Sequence, residues 1–147
     1  MEVVHRSAHV PYTARQVFDL VDDIEHYPEF LPWCTAAQVK ERQSDYTIAS
    51  LTLEKKGLRK RFTTKNTVEV GRKLEMHLVE GPFKHLYGVW TFEPTDNGCQ
   101  VTVSLEFDFA SRIIAMLLGP IFNHAANNLL EAFVARAHAL YGDNKCE

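Results

Sequence analysis

Hydrophobic and polar positions change their period along the chain, and the changes mark the elements. Glu2–Val10 carries β-branched, alternating residues and ends at Pro11, which predicts a strand. Thr13-Ala14-Arg15-Gln16 then has the spacing of a capping box, with Tyr12 placed to staple against Val17. Val17, Leu20, Val21 and Ile24 recur at helical spacing and predict a short amphipathic helix. Between Ile24 and Cys34, Pro28 and Pro32 preclude a long helix, while Tyr27, Phe30 and Trp33 require burial. Period-two segments follow at Ala36–Glu41, Asp45–Glu54, Leu58–Val70, Leu74–Glu80, His85–Glu93 and Cys99–Phe109. Turn chemistry separates them at Lys55-Lys56-Gly57, Val70-Gly71-Arg72 and Asp96-Asn97-Gly98, where residues that tolerate positive φ stand.

The last of these segments alternates most cleanly: Cys99, Val101, Val103, Leu105, Phe107 and Phe109 on one face, Gln100, Thr102, Ser104, Glu106 and Asp108 on the other. A sheet with one apolar face needs a cover. The final segment supplies it as a helix capped by Ser111 and running to Tyr141, about three times the mean helix length. At about 100° per residue its inward stripe is Leu118, Phe122, Ala125, Leu129, Phe133 and Leu140, with Asn127, Glu131 and His138 opposite. Pro120 is expected to bend or interrupt the first part. Seven antiparallel strands gripping one long C-terminal helix form an α+β, helix-grip arrangement, in a single domain spanning 1–147. Ala125, Ala126 and Ala132 shorten the helix side of that contact and leave volume for a ligand.

Composition narrows the classes. The chain has 147 residues, 46% hydrophobic and 24% charged, the balance of a soluble globular domain able to build a core without staples. A formal charge of −3 supplies no general attraction to nucleic acid or anionic lipid, so any such contact must be local. Cys34, Cys99 and Cys146 are widely spaced and contain no C-x-x-C pair, which argues against a disulfide framework or a zinc site and favours a reducing cytoplasm. The alternating, charged N-terminus does not read as a secretory signal, and the apolar stretch 113–122 is too short to span a membrane.

Several separated motifs resemble one family. Val10-Pro11-Tyr12-Thr13-Ala14, Tyr27-Pro28-Glu29-Phe30-Leu31-Pro32-Trp33-Cys34, Gly81-Pro82-Phe83-Lys84 and Trp90-Thr91-Phe92 occur in the order found in the coenzyme Q-binding branch of the START-like, polyketide-cyclase-like (SRPBCC) superfamily. With Phe62-Thr63-Thr64 and Ala132-Phe133-Val134-Ala135-Arg136-Ala137, the chain most resembles that branch's bacterial ribosome-association toxins. The resemblance implies a START domain with an apolar tunnel. It further implies a bound ubiquinone or similar isoprenoid lipid, or, for the toxins, binding to the large ribosomal subunit that blocks subunit joining, with a possible antitoxin partner.

On that basis the expected tunnel has Phe30, Leu31 and Trp33 at its mouth and Phe62, Met76, Leu78, Leu86, Trp90, Phe92, Phe107, Leu129 and Phe133 inside. Each of these is equally a core residue by type, and only the set points to a ligand. Arg136, on the inward stripe, is a candidate donor to a quinone carbonyl or headgroup, although its stem can instead lie on apolar surface while the guanidinium reaches an acid. Lys55, Lys56, Arg59, Lys60, Arg61 and Lys65 concentrate positive charge on one hairpin, suited to ribosomal RNA or peripheral contact with an anionic membrane; a solvated hairpin is the plain alternative. Asp19, Asp22, Asp23, Glu25 and Glu29 read as a solvated acidic face.

Catalytic patterns are lacking: there is no H-E-x-x-H, no G-x-S-x-G and no phosphate-binding glycine loop. His124 and His138 point outward by the angular count, and Cys34 has no neighbouring base, so it reads as packing. His77, His85 and Glu106 are the remaining acid–base candidates for the tunnel, as an aromatase or cyclase would need. The leading expectation, by that resemblance, is binding without turnover of a ubiquinone or similar isoprenoid lipid between the long helix and the sheet, linked to respiration; blocking of ribosomal subunit joining is the alternative and an aromatase or cyclase the third, with no cofactor required and no metal.

Overall fold

The computed structural model describes residues 1–142, so Cys146 lies outside the described residues. Strand β1 (Glu2–Val10) leads into helix α1 (Ala14–Asp22) and a 3-10 segment (Ile24–Glu29). Strands β2 (Cys34–Arg42), β3 (Tyr46–Lys55), β4 (Leu58–Glu69), β5 (Lys73–Glu80), β6 (Phe83–Thr95) and β7 (Gly98–Phe109) follow, and helix α2 (Arg112–Tyr141) ends the fold. The strands form one antiparallel sheet ordered β1-β7-β6-β5-β4-β3-β2. Each strand predicted from the sequence is present, with ends moved by at most two residues.

The local signals act as their chemistry requires. Thr13 accepts from the Gln16 amide at 3.1 Å while the Gln16 side chain accepts from the Thr13 amide at 2.8 Å, closing the capping box. The Ser111 hydroxyl accepts from the Ile114 amide at 3.1 Å and starts α2. At the β3–β4 turn, Lys56 and Gly57 take φ of 53° and 82°, conformations that glycine tolerates without a Cβ penalty. Tyr12 is fully buried, and its hydroxyl lies 2.9 Å from His138 Nδ1 and 3.0 Å from the Gly142 carbonyl oxygen, tying the end of β1 to the end of α2.

Helix α2 is not interrupted at Pro120. It runs unbroken from Arg112 to Tyr141 with Pro120 inside. The carbonyl that loses its partner belongs to Met116, which like Pro120 is exposed, so water can satisfy it. The unbroken helix is long and apolar enough to cross a membrane by length and composition, but Leu118, Phe122, Ala125, Ala126, Leu130, Phe133 and Ala137 are buried within the domain. Leu140, placed inward by the angular count, is 51% exposed, at the rim formed with Asp19, Leu20 and Tyr141. The acidic face is likewise only partly solvated: Asp22 pairs with Arg42 at 3.2 Å, and burial outweighs that pairing and raises its carboxyl above the usual range.

Candidate functional site

Alternation along the strands aims a continuous row of side chains at α2. The register sets Asn66 opposite Met76, Met76 opposite Gly88, and Gly88 opposite Leu105. Between this row and α2 lies a cavity of about 70 Å3. Ala49 and Leu51 from β3, Phe62, Thr64 and Asn66 from β4, and Met76, Leu86, Trp90 and Leu105 from the next strands form its sheet wall. Phe122, Ala125, Ala126, Leu129 and Phe133 form the helix wall, and Ile24, Tyr27 and Trp33 close the side toward the 3-10 segment. A water needs only about 10–15 Å3 of such space, so the void has room for a small molecule.

Its floor is kept low by glycine. A Cβ at Gly88 would come within 2.4 Å of Met76 Cε and 2.6 Å of Leu105 Cδ2. The helix wall is thin for the same reason of volume, since Ala125 and Ala126 face the void. Aromatic edges stiffen the rest: Trp90 meets Phe133 at 5.0 Å, Phe62 meets Phe83 at 5.6 Å, and Tyr27 meets Phe133 at 5.2 Å. The Tyr27 hydroxyl donates to the Val21 carbonyl oxygen, and burial raises its pKa far above the ordinary phenol range. Among the described residues, no Asp, Glu, His, Lys, Arg or Cys lines the cavity.

Of the residues expected at a tunnel, Trp33, Phe62, Met76, Leu86, Trp90, Leu129 and Phe133 line this cavity. Phe30 packs just outside, 5.0 Å from Phe133 by ring centroids. Leu31 is buried beneath the loop rather than at a mouth. Phe92 lies behind Trp90, stacked at 6.2 Å and against Phe18, and Phe107 is sealed against Phe122 at 4.7 Å. Leu78 is half-buried toward the Gly81 turn. Ala132 does not reach the void either. Arg136 points to acid, its Nη2 lying 2.8 Å from Glu29 Oε1.

The acid–base candidates are not inside. The β7 alternation that turns Leu105 and Phe107 inward turns Glu106 out, where it meets His85 at 3.3 Å. His77 is on the same outer face beside Tyr87, whose hydroxyl donates to Glu75 at 2.7 Å. That face was legible from period two alone. Cys34 is a buried free thiol, pushed up by burial to about 11. Sequence reasoning passed over Thr64 and Asn66, whose polar side chains carry no apolar signal, and over Ile24, Tyr27, Ala49, Leu51 and Leu105, whose apolar type reads as ordinary core; the period-two register from Phe62 was the available cue on β4.

The basic hairpin divides between the two faces. Arg59, Arg61 and Lys65 alternate with the cavity-lining Phe62 and Thr64 and so face outward, while Lys60 takes the inner side near the tip. Arg59 approaches Glu54 at 3.8 Å and Lys65 lies 4.4 Å above the Tyr46 ring, whereas Lys55, Lys56, Lys60 and Arg61 make no ion pair among the described residues.

Comparison with known proteins places this architecture. The family model described as polyketide cyclase / dehydrase and lipid transport matches residues 10–134. The chain belongs to this family. Within the family's reach, it is 47% identical over 140 residues to the ribosome association toxin RatA of Pseudomonas aeruginosa, covering 95% of this chain and 97% of that one. It is 26% identical over 136 residues to the mitochondrial coenzyme Q-binding protein COQ10 homolog B of Xenopus laevis, covering 89% of this chain and 56% of that one. Among solved structures, a START superfamily protein of Mycobacterium smegmatis aligns with a TM-score of 0.77 at 17% identity, covering 94% of this chain and 98% of that one. The Zhui aromatase/cyclase of Streptomyces sp. R1128 aligns with a TM-score of 0.82 at 16% identity over 97% of each chain. At those identities the two structures establish the shared family fold and nothing of activity.

Proposed function

We propose that this chain is a ribosome-association toxin: it binds the large ribosomal subunit and blocks subunit joining in the cytoplasm. The observation that carries the reading is the 47% identity to RatA of Pseudomonas aeruginosa along nearly the whole of both chains. The order of weight is thus the reverse of the first expectation from sequence, in which quinone binding led. Support comes from the β3–β4 hairpin, where Lys55, Lys56 and Arg61 are exposed and without ion-pair partners among the described residues, on a protein of net charge −3. Such a local cluster attracts RNA phosphate and gives binding that weakens as salt rises.

The test is co-sedimentation with purified large subunits across a salt series. Lys55→Glu/Lys56→Glu/Arg61→Glu is expected to weaken association at least about 10-fold and to flatten its salt dependence, as the loss of phosphate contacts requires. Unchanged association and slope would remove the hairpin from the interface. Absence of wild-type co-sedimentation would overturn the ribosomal reading itself.

A second reading concerns the cavity, and its observation is the apolar wall between α2 and the sheet. We infer that the cavity takes a hydrophobic ligand or one segment of a larger one, at roughly 25 cal/mol for each Å2 of apolar surface removed from water. Binding without turnover suits a lining that, among the described residues, offers no carboxylate, imidazole, amine or thiol. At about 70 Å3 it admits a small apolar group, and an isoprenoid tail of a quinone would have to displace the 3-10 segment or part of α2. Mild organic extraction of the protein from its native cytoplasm, followed by mass spectrometry, identifies such a ligand if one is carried. An empty protein that also binds no hydrocarbon probe would remove this reading.

A further inference from the structure

One end of the cavity is polar in an unusual way. On β4, period two turns Phe62, Thr64 and Asn66 to the same side, and Thr64 and Asn66 are only 7% and 4% exposed. The Thr64 hydroxyl donates to Asn66 Oδ1 at 2.9 Å. That bond uses the amide's acceptor and leaves Asn66 Nδ2, a two-proton donor, with no hydrogen-bond partner among the described residues. The neighbouring buried pair shows the contrast: Ser50 and Thr63, on the opposite face of the same strands, satisfy one another at 2.6 Å. Asn66 Nδ2 is not among the fully enclosed unpaired atoms, so it keeps surface toward the cavity, and replacing both members by apolar groups of similar shape is nearly neutral or stabilising. Valine and leucine at these positions would complete an apolar wall; the chain instead keeps an open donor facing space.

We propose that Thr64 and Asn66 are the recognition pole of the cavity, selecting a neutral ligand that ends in a carbonyl oxygen attached to an apolar body. The inference rests on the cavity-ligand reading above and names the ligand's chemistry. Asn66 Nδ2 donates to the carbonyl oxygen, and the body lies toward Met76, Gly88 and Leu105, where glycine holds the floor open. Neutrality follows from the lining. Among the described residues it contains no cationic side chain, and the nearby guanidinium of Arg136 is committed to Glu29. An ionised carboxylate or phosphate would enter this void without a counter-charge, which is strongly unfavourable. A pure hydrocarbon would fill the volume and leave the Asn66 donor unpaired.

Three small probes of matched frame separate these cases: acetophenone, which carries the carbonyl; cumene, its hydrocarbon analogue; and benzoate, its charged analogue. Affinities are measured for the wild type, Asn66→Leu and Thr64→Val/Asn66→Leu. In wild type, 13C=O acetophenone is expected to show a carbonyl stretch lowered relative to its value in hexane, and benzoate to bind at least about 10-fold more weakly than acetophenone. In Asn66→Leu, acetophenone affinity relative to cumene is expected to fall about 10-fold, the worth of one buried hydrogen bond. The carbonyl stretch returns to its hexane position in that variant. The double variant is expected to melt at or above the wild-type temperature and to show the same lost preference, which keeps the test open if the single variant folds poorly. An unchanged acetophenone-to-cumene ratio, or a wild-type carbonyl stretch already at the hexane value, would overturn the recognition pole while leaving the apolar cavity standing. If cumene and the smaller hydrocarbon isobutene both fail to bind, the cavity reading falls and the pole with it.

Discussion

Arg136 Nη2 lies 2.8 Å from Glu29 Oε1, and its guanidinium carbon sits 5.0 Å from the Phe30 ring centroid. This contact fastens the C-terminal half of α2 to the segment preceding β2. It holds Phe30 against Phe133, which itself lines the cavity. The arginine thus secures one side of the void without entering it, with Nε enclosed and unpartnered and the charge resolved at Nη2.

Glu29→Gln is expected to loosen this side of the cavity. Glu29 is 55% exposed, so the pair is worth no more than about 1 kcal/mol, which lowers the melting temperature by about 2–4 °C in a domain of this size. The sharper readout is kinetic: cumene should enter and leave faster than in wild type, measured by NMR line shape. Unaltered exchange would show that Phe30 is held by packing alone.

Filling the thin helix wall is expected to close the cavity. Ala126→Leu places a side chain where Ala126 now borders the void. Apolar probe binding should fall at least about 10-fold while stability holds within about 1 kcal/mol, provided the new side chain takes up the empty volume. Calorimetry with cumene and a urea melt on the same variant check both.

Trp90 requires a different substitution from the small residues. Its ring is 1% exposed, meets Phe133 at 5.0 Å and stacks on Phe92 at 6.2 Å, so Trp90→Ala is expected to cost about 3–5 kcal/mol by leaving a large cavity. Ligand loss in that variant would report on the fold. Trp90→Phe keeps a ring in place, and comparing the melts of the two variants distinguishes packing from contact with ligand.

Cys34 sets a pH signature. Burial raises its thiol from an ordinary 9.0 to about 11, so the folded protein favours the neutral form. Its contribution to stability is complete below pH 9 and is lost as pH rises toward 11. Cys34→Ala should flatten the fall in melting temperature across that window. In the native wild type, iodoacetamide should modify Cys34 far more slowly than an unfolded control at pH 8; equal rates would place the thiol at the surface.

Most of the fold was legible because its determinants are local. The capping box at Thr13, the Ser111 cap and the alternation from Cys99 to Phe109 each specify an element through neighbours within a few residues. The same alternation would have placed His85 and Glu106 outside, had it been carried through β6 and β7 to the candidate acid–base groups. The site was legible only in part. Phe92, Phe107 and Leu31 share apolar character with Trp33, Met76 and Phe133, and side-chain type does not tell core from cavity wall. Leu140 followed the helical count yet is exposed, since periodicity gives a direction and says nothing of what lies opposite each turn.

The chain's own pattern therefore determined the element types, their order, the apolar face of the sheet and the presence of a long covering helix, because hydrophobic period and capping chemistry act over a turn or a strand. Tertiary structure decided where volume is left unfilled. The void depends on Gly88 lying beside Met76 and Leu105, on Ala125 and Ala126 facing them across the domain, and on Thr64 bonding Asn66 so that one donor stays open. Those relations join residues far apart in the chain, and packing density at a point in space is a sum over all of them.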